Sequence, residues 1–259
     1  MPAVQPNIVN LAEFKAACQS CNLFQLCLPM GIADRELVLL DKIIRRRRPL
    51  KRGEYLYQQG HTFQAIYAVR TGSIKTSTTT HDGSEMVTGF HLPGELLGLD
   101  AICNEIHPCA AVALESCTVC ELPYDHLERL NEHLPGLQQQ LTKMLSREIL
   151  SGQALLALLS KRSAEERLAA LLLNLSARFR RRGYSGSEFI LSMSRTDIGN
   201  YLGLAVETVS RMFTRFQEQG LIDVRRKHVV ILDLRALHDL ACRSSGCPDL
   251  GSYHVAAPV

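Results

Sequence analysis

Leu137-Gln-Gln-Gln-Leu-Thr-Lys-Met-Leu-Ser-Arg-Glu-Ile-Leu-Ser-Gly-Gln-Ala-Leu-Leu-Ala-Leu-Leu-Ser160 is the stretch around which the rest of the chain can be ordered. Thr142, Leu145, Ile149, Gly152, Leu156 and Leu159 recur in it at alternating steps of three and four. That spacing is the a/d seam of a two-stranded coiled coil. Leu141 and Leu155 flank the seam, so the apolar stripe can touch its own domain as well as a partner. At 1.5 Å per residue the helix spans roughly 35 Å. A helix buried inside one globular domain can show the same period. The segments on either side favour pairing of two copies.

A chain of 259 residues can hold two domains with ordinary cores. Its hydrophobic fraction of 46% and charged fraction of 21% are those of a soluble globular protein. No apolar run reaches the ~18 residues of a membrane span, and Met1-Pro-Ala-Val-Gln-Pro does not open a signal peptide. A cytoplasmic protein without a membrane partner is expected. The net charge of +3 does not announce a nucleic-acid binder, so any basic surface must be local. The nine cysteines are Cys18, Cys21, Cys27, Cys103, Cys109, Cys117, Cys120, Cys242 and Cys247. An odd count in a reducing cytosol speaks against disulfides and for metal or redox chemistry. Some of the nine should serve as small buried hydrophobes.

Cys18-Gln-Ser-Cys21-Asn-Leu-Phe-Gln-Leu-Cys27 brings three thiols within ten residues. Thiolate is soft and selects zinc or an iron–sulfur cluster. The spacing is neither a zinc ribbon nor a common ferredoxin pattern. Three thiolates imply a fourth ligand from a distant part of the chain.

Residues 34–135 read as strands. Glu54-Tyr-Leu-Tyr, Ala65-Ile-Tyr-Ala-Val, Ser73-Ile-Lys-Thr-Ser-Thr and Met86-Val-Thr-Gly-Phe are β-branched or aromatic, and glycines punctuate them. A small barrel or jelly roll is expected. The charge run Arg45-Arg-Arg-Arg48 reads as a solvated face. Pro93-Gly94-Glu95 resembles the Gly-Glu of cyclic-nucleotide pockets, which a phosphate-binding Arg follows. No Arg lies between Leu92 and Tyr124, so a cyclic-nucleotide ligand is not expected. Residues 110–122 read as one further strand. Cys117 and Cys120, three apart, then point to opposite faces, and one of them is the candidate fourth ligand.

After the long helix, Ser163 with Glu166 reads as a capping box. The basic cluster at residues 178–182 meets either phosphates or water. Residues 192–220 resolve into a short helix, a turn at Gly203 and a longer helix. Ser194 with Asp197, or Thr196, caps the first. Val206, Val209, Phe213 and Phe216 form the buried stripe of the second. Glu207, Ser210, Arg211 and Thr214 share its opposite face. This is a helix-turn-helix whose second helix can enter a major groove. Leu221-Ile-Asp-Val and His228-Val-Val-Ile-Leu, joined by Arg225-Arg226-Lys227, read as a wing that can rest on phosphates. Residues 243–259 lack periodicity and read as a flexible tail.

These motifs together resemble the FNR-type, Anr-like branch of the CRP/FNR transcription regulators. The resemblance covers roughly residues 14–240. Its parts are Cys18-x2-Cys21-x5-Cys27-Leu-Pro, Thr88-Gly-Phe-His-Leu-Pro-Gly-Glu-Leu, Val119-Cys-Glu-Leu-Pro, Ala164-Glu-Glu-Arg-Leu-Ala-Ala, Asp197-Ile-Gly-Asn-Tyr-Leu-Gly-Leu and Val206-Glu-Thr-Val-Ser-Arg. It implies an α+β chain with an N-terminal β-roll of the jelly-roll, cyclic-nucleotide-binding-like kind as sensor domain, a dimerisation helix and a C-terminal winged helix-turn-helix. The corresponding divisions are a cysteine-rich segment at 1–33, β-roll at 34–135, dimerisation helix at 136–161, DNA-binding domain at 162–242 and tail at 243–259. It implies that Cys18, Cys21, Cys27 and Cys120 bind a [4Fe-4S] cluster that oxygen degrades to a [2Fe-2S] form and beyond, dissociating a homodimer. It also implies that Glu207, Ser210 and Arg211 read the TTGAT half-sites of a TTGAT-N4-ATCAA palindrome. The bases agree: Arg can donate twice to guanine, Glu can accept from cytosine, and Ser can contact a thymine methyl. Activation of anaerobic genes through RNA polymerase is implied by loops around 81–84 and 181–184.

Two departures stand out. Gly152 occupies a seam position that is usually larger in the family, and often acidic. Arg226 stands at the wing tip, where relatives often have Gly. Other readings of the residues are a regulator gated by a small molecule in the barrel and a zinc-stapled binding module. An enzyme is not expected, because no Gly-rich phosphate loop with Lys-Ser/Thr, Gly-x-Ser-x-Gly or His-Glu-x-x-His occurs.

Overall fold

The computed structural model describes residues 18, 21–30, 32–80, 82–131 and 134–243. The expected tail from residue 244 onward, with Cys247, lies outside the described residues, as does His81 of the 81–84 loop.

The strand-rich half forms two antiparallel four-stranded sheets. One runs β1-β8-β3-β6, from Arg45–Arg46, Thr118–Pro123, Ala65–Thr71 and Leu96–Leu97. The other runs β2-β7-β4-β5, from Tyr55–Tyr57, Ala110–Ala113, Ile74–Thr79 and Glu85–His91. Residues of both sheets share one inner core, including Tyr57, Tyr67, Val69, Ile74, Ala111 and Val119. This is the expected jelly roll. Along β3, Tyr67 and Val69 face that core, while Ile66 and Ala68 face a helical layer on the other side. Burial on both faces explains why residues 65–69 are uninterruptedly apolar.

Two parts of the strand reading are corrected. The region begins and ends in helices, α1 at Asp34–Ile43 and α2 at Tyr124–Asn131. Asp34 and Glu36 suit the positive end of α1, and Leu37 and Leu40 are its buried face. Residues 110–122 are two strands rather than one. β7 pairs with β2 and β4, β8 pairs with β1 and β3, and residues 114–117 carry the chain from one sheet to the other.

The long helix α3 runs over Pro135–Lys161. Leu137 near its start is fully buried, in one core with Leu28, Leu37, Leu40, Ile66 and Leu127. Farther along it leaves the core. Ile149 is 63% exposed and Leu156 69%, and Thr142, Leu145 and Gly152 are also exposed, with Leu159 half-buried. A Cβ on Gly152 would meet nothing within 4 Å. The seam therefore leaves an apolar edge uncovered in the single chain.

Beyond it come α4 (Ala164–Arg181), β9 (Glu188–Ile190), α5 (Arg195–Leu202), α6 (Val206–Glu218), β10 (Ile222–Arg225), β11 (His228–Ile231) and α7 (Leu234–Ala241). The Ser163–Glu166 capping box forms as read and starts α4. The strands pair in the order β10-β11-β9. Leu168, Leu172, Ile198, Val209, Phe213 and Phe216 belong to the core of this half. Val87, Phe90, Leu92 and Leu114 of the β-roll join the same core, so the two halves are packed together. No helix among the described residues is long and apolar enough to cross a membrane.

Candidate functional site

Cys18, Cys21, Cys27 and Cys120 line one recess. Short-range backbone bonds wind the cysteine segment. The Cys21 N–H donates to the Cys18 carbonyl at 3.0 Å, that of Phe24 to Cys21 at 3.0 Å, and that of Cys27 to Leu23 at 3.0 Å. A 3-10 turn at Phe24–Leu26 carries the chain round. The Cys18 N–H donates to the Asp41 carboxylate of α1 at 2.9 and 3.1 Å. Cys120 reaches the recess from β8, opposite Ala68 on β3 and Arg46 on β1. Phe24, Leu28, Leu40, Ile44 and Leu122 supply apolar lining, with Arg70 among them.

Burial pushes the Cys27 thiol up to about 12, and the nearby Cys120 and Cys21 sulfurs add to it. Burial also raises Cys18, helped by Asp41, and raises Cys120 against the opposing pull of Arg70. Such thiols stay protonated unless a cationic centre holds them as thiolates. Among the described residues, no three Cys, His, Asp or Glu groups converge closely enough for one metal ion. A single zinc needs its sulfurs about 2.3 Å from one point. A cubane cluster attaches each thiolate to a different iron, so four cysteines spread round a recess suit it better.

The other thiols are elsewhere. Cys117 is 1% exposed in the inner core of the roll, and Cys103 is on the surface. Cys109 is buried and donates to Asp100 at 3.2 Å. Cys242 departs from the expectation of free thiols, because it is disulfide-bonded.

The second surface is built by α5 and α6. Ser194 and Asp197 form a reciprocal cap on α5, which resolves the choice with Thr196. Gly203 follows in the left-handed region at φ 64°, where a side chain is strained. Gly199 lets the turn close, since a Cβ there would lie 2.6 Å from the Leu204 carbonyl oxygen. Helix α6 buries Val209, Phe213 and Phe216. Val206, read as part of the stripe, is 36% exposed because it sits in the first turn, at the edge of the contact. Glu207, Ser210, Arg211 and Thr214 are exposed together on the outer face. The wing tip carries Arg225, Arg226 and Lys227 between β10 and β11. Arg226 has φ 60°, the backbone geometry that favours Gly.

The basic cluster at the end of α4 is divided between two roles, and the choice between phosphate and water is corrected for half of it. Arg180 and Arg181 are exposed, but Arg178 and Arg182 turn inward to Glu95 of the β-roll. Arg178 meets both carboxylate oxygens, at 3.0 and 2.5 Å, and Arg182 meets one at 2.5 Å. Burial would raise the Glu95 carboxyl, but Arg178 and then Arg182 overcome it and hold it at about 2. The two arginines are four apart, hence on one helix face, which is the only sign of this in the sequence. Lys75 to Asp197 at 2.7 Å and Ser73 to Ser192 at 2.6 Å add polar links between the halves.

Residues 47–133 match the cyclic nucleotide-binding domain, and residues 166–240 the Crp-like helix-turn-helix domain. The chain is 52% identical over 227 residues to the transcriptional activator protein Anr of Pseudomonas aeruginosa, spanning 88% of this chain and 93% of that protein. It is 48% identical over 224 residues to the fumarate and nitrate reduction regulatory protein of Escherichia coli, spanning 86% and 90%. The structure of FixK2 from Bradyrhizobium japonicum is similar at a TM-score of 0.71 and 28% identity, covering 80% of this chain and 99% of that one. The first two relatives are named as regulators, not enzymes, and the helix-turn-helix match in this chain covers α5 and α6. With about half of its residues shared along nearly its full length, the chain belongs to the CRP/FNR family of transcription regulators.

Proposed function

We propose that this regulator is an oxygen-responsive activator of anaerobic genes. Cys18, Cys21, Cys27 and Cys120 hold an oxygen-labile [4Fe-4S] cluster, and the loaded chain pairs through the seam of α3 as a cytoplasmic homodimer. The observation that carries the reading is the meeting of these four cysteines, and no others, at one recess among the described residues. When bound, such a cluster supplies lability towards oxygen. The chain does the rest. Thiolates held at 18–27 and at 120 tie the segment to β8. The segment packs with the start of α3, since Leu28 and Leu137 share a core and the buried Gln140 amide donates to the Met30 carbonyl. Ordering of this segment steadies α3 where its exposed seam can meet a second copy.

A dimer presents two α6 helices, a monomer one. A shift of ~3 kcal/mol in pairing changes occupancy about a hundredfold. Glu207, Ser210 and Arg211 read a TTGAT-like half-site on each side of a palindrome. Exposed residues at 82–84 and, around the inward-turned Arg182, at 181, 183 and 184 contact RNA polymerase. Engagement of Glu95 by Arg178 and Arg182 supports a reading without a cyclic nucleotide. Iron and sulfide analysis of anaerobically prepared protein, with DNA binding measured before and after aeration, tests the whole. Iron-free, colourless protein that binds equally well in both states would end it.

Two substitutions probe the parts. Gly152→Ala should gain roughly 1 kcal/mol of helix stability, and the open space around Gly152 removes any clash within the chain. More dimer is expected in aerated protein by sedimentation, and no gain removes Gly152 as a brake on pairing. Arg211→Ala should cost about 1–3 kcal/mol and relax base choice at one position. Neutralising Arg225 instead should weaken all sequences alike and flatten the salt dependence. A uniform loss with Arg211→Ala would make it a phosphate contact only.

A further inference from the structure

Glu95 is anchored in the β-roll and spent on the other domain. Its carbonyl accepts the Val69 N–H at 3.0 Å, and its carboxylate accepts the Leu92 N–H at 3.0 Å. Its remaining capacity goes to α4, 83 and 87 residues away in sequence. Arg178 also donates to the Phe90 carbonyl, and Arg182 to the Pro93 carbonyl at 2.7 Å. The turn from Phe90 to Glu95 is thus gripped by one face of one helix. The Arg182 side chain is only 3% exposed and that of Arg178 14%. Both guanidiniums have Glu95 as their ion-pair partner. Removing its charge leaves two near-buried cations side by side, and separation of the halves is what would rehydrate them. A paired Arg–carboxylate fork also fixes angle as well as distance. Helix α4 packs on α5 and α6, so its angle on the roll sets where α6 points.

We infer that Glu95 is a positioning residue for DNA reading: clasped by Arg178 and Arg182, it sets the orientation of the helix-turn-helix head on the β-roll. This goes beyond the oxygen-sensing reading; the clasp itself involves no cluster residue, while its spacing test rests on the proposed dimer and palindrome. Its consequence is specific. Two heads at a fixed angle demand a fixed distance between half-sites. Loosened heads tolerate altered spacing.

The test uses the full chain, prepared anaerobically, with Glu95→Gln, Glu95→Asp and the unaltered protein. Each is titrated with the TTGAT-N4-ATCAA palindrome, the same palindrome with two base pairs added to the spacer, and one half-site. The unaltered protein should prefer the native spacer by about tenfold or more. Glu95→Gln should bind both palindromes within about threefold of each other, keep its half-site affinity, and Glu95→Asp should restore the preference. Retained preference in Glu95→Gln overturns the proposal. Equal weakening on all three duplexes, with a lowered melting midpoint, also overturns it and leaves Glu95 a merely structural support. If the unaltered protein shows no preference, the palindrome reading has failed, and amide exchange decides for Glu95. Glu95→Gln should then speed exchange at residues 90–95 and 178–184 but not in α6, and unchanged exchange overturns the proposal.

Discussion

Cys120→Ser is expected to give colourless protein from an anaerobic preparation, while Cys117→Ser keeps its visible absorbance. The two cysteines lie three apart near one strand, yet in different surroundings. Cys120 faces the recess shared with Cys18, Cys21 and Cys27. Cys117 is in the opposite core, with its backbone paired to Leu50 in both directions, at 2.8 and 3.0 Å. A serine hydroxyl is a hard, weakly acidic donor and a much poorer ligand for cluster iron than a soft thiolate. With the fourth ligand gone, the segment at 18–30 loses its tie to β8, and dimer and DNA affinity should fall to those of aerated protein. At position 117 the hydroxyl costs roughly 1–3 kcal/mol of stability through its burial, so that variant is best handled cold. A coloured Cys120→Ser or a bleached Cys117→Ser would move the ligand and break the reading of the recess.

Ile149→Glu is expected to leave the monomer intact and abolish the dimer. Ile149 is 63% exposed in the single chain, so its replacement should change unfolding free energy by no more than about 0.5 kcal/mol. In a seam the same position faces its copy. Each buried Ile contributes ~1.5–3 kcal/mol, and two carboxylates would then oppose one another. Pairing should weaken by at least about a hundredfold. Anaerobic sedimentation should show monomer at concentrations where the unaltered protein is dimeric, with visible absorbance unchanged. A persisting dimer would mean that the copies meet elsewhere than along Leu145, Ile149, Gly152 and Leu156.

The parts of this molecule that were readable from residue order are those made by near neighbours. The caps at Ser163–Glu166 and Ser194–Asp197 close within four residues. So does the turn at Gly203, and the stripe of Val209, Phe213 and Phe216 follows the helix period. What was misread, at residues 110–122, or left unread, at β9 and α7, lies where distant contacts prevail. Glu188-Phe-Ile is too short a run to announce a strand by itself, and is one because it lies along β11. Residues 110–122 have continuous strand propensity, but the two sheets compete for them and the chain breaks at 114–117 to serve both. α7 is short, and Leu237 and Leu240 find their burial in the core shared with α4.

Cysteine spacing alone suggests the soft-metal or redox site proposed above and asks for a fourth donor, because thiolate chemistry and ligand count are properties of residue type. Which sulfur faces the other three is a matter of sheet register: Cys120 stands opposite Ala68, with the helical layer beyond. The pairing of Glu95 with Arg178 and Arg182 belongs to the same class. Charges more than eighty residues apart have no local signature, and only the docking of α4 on the roll brings them within hydrogen-bond reach and removes the water that would otherwise keep them apart.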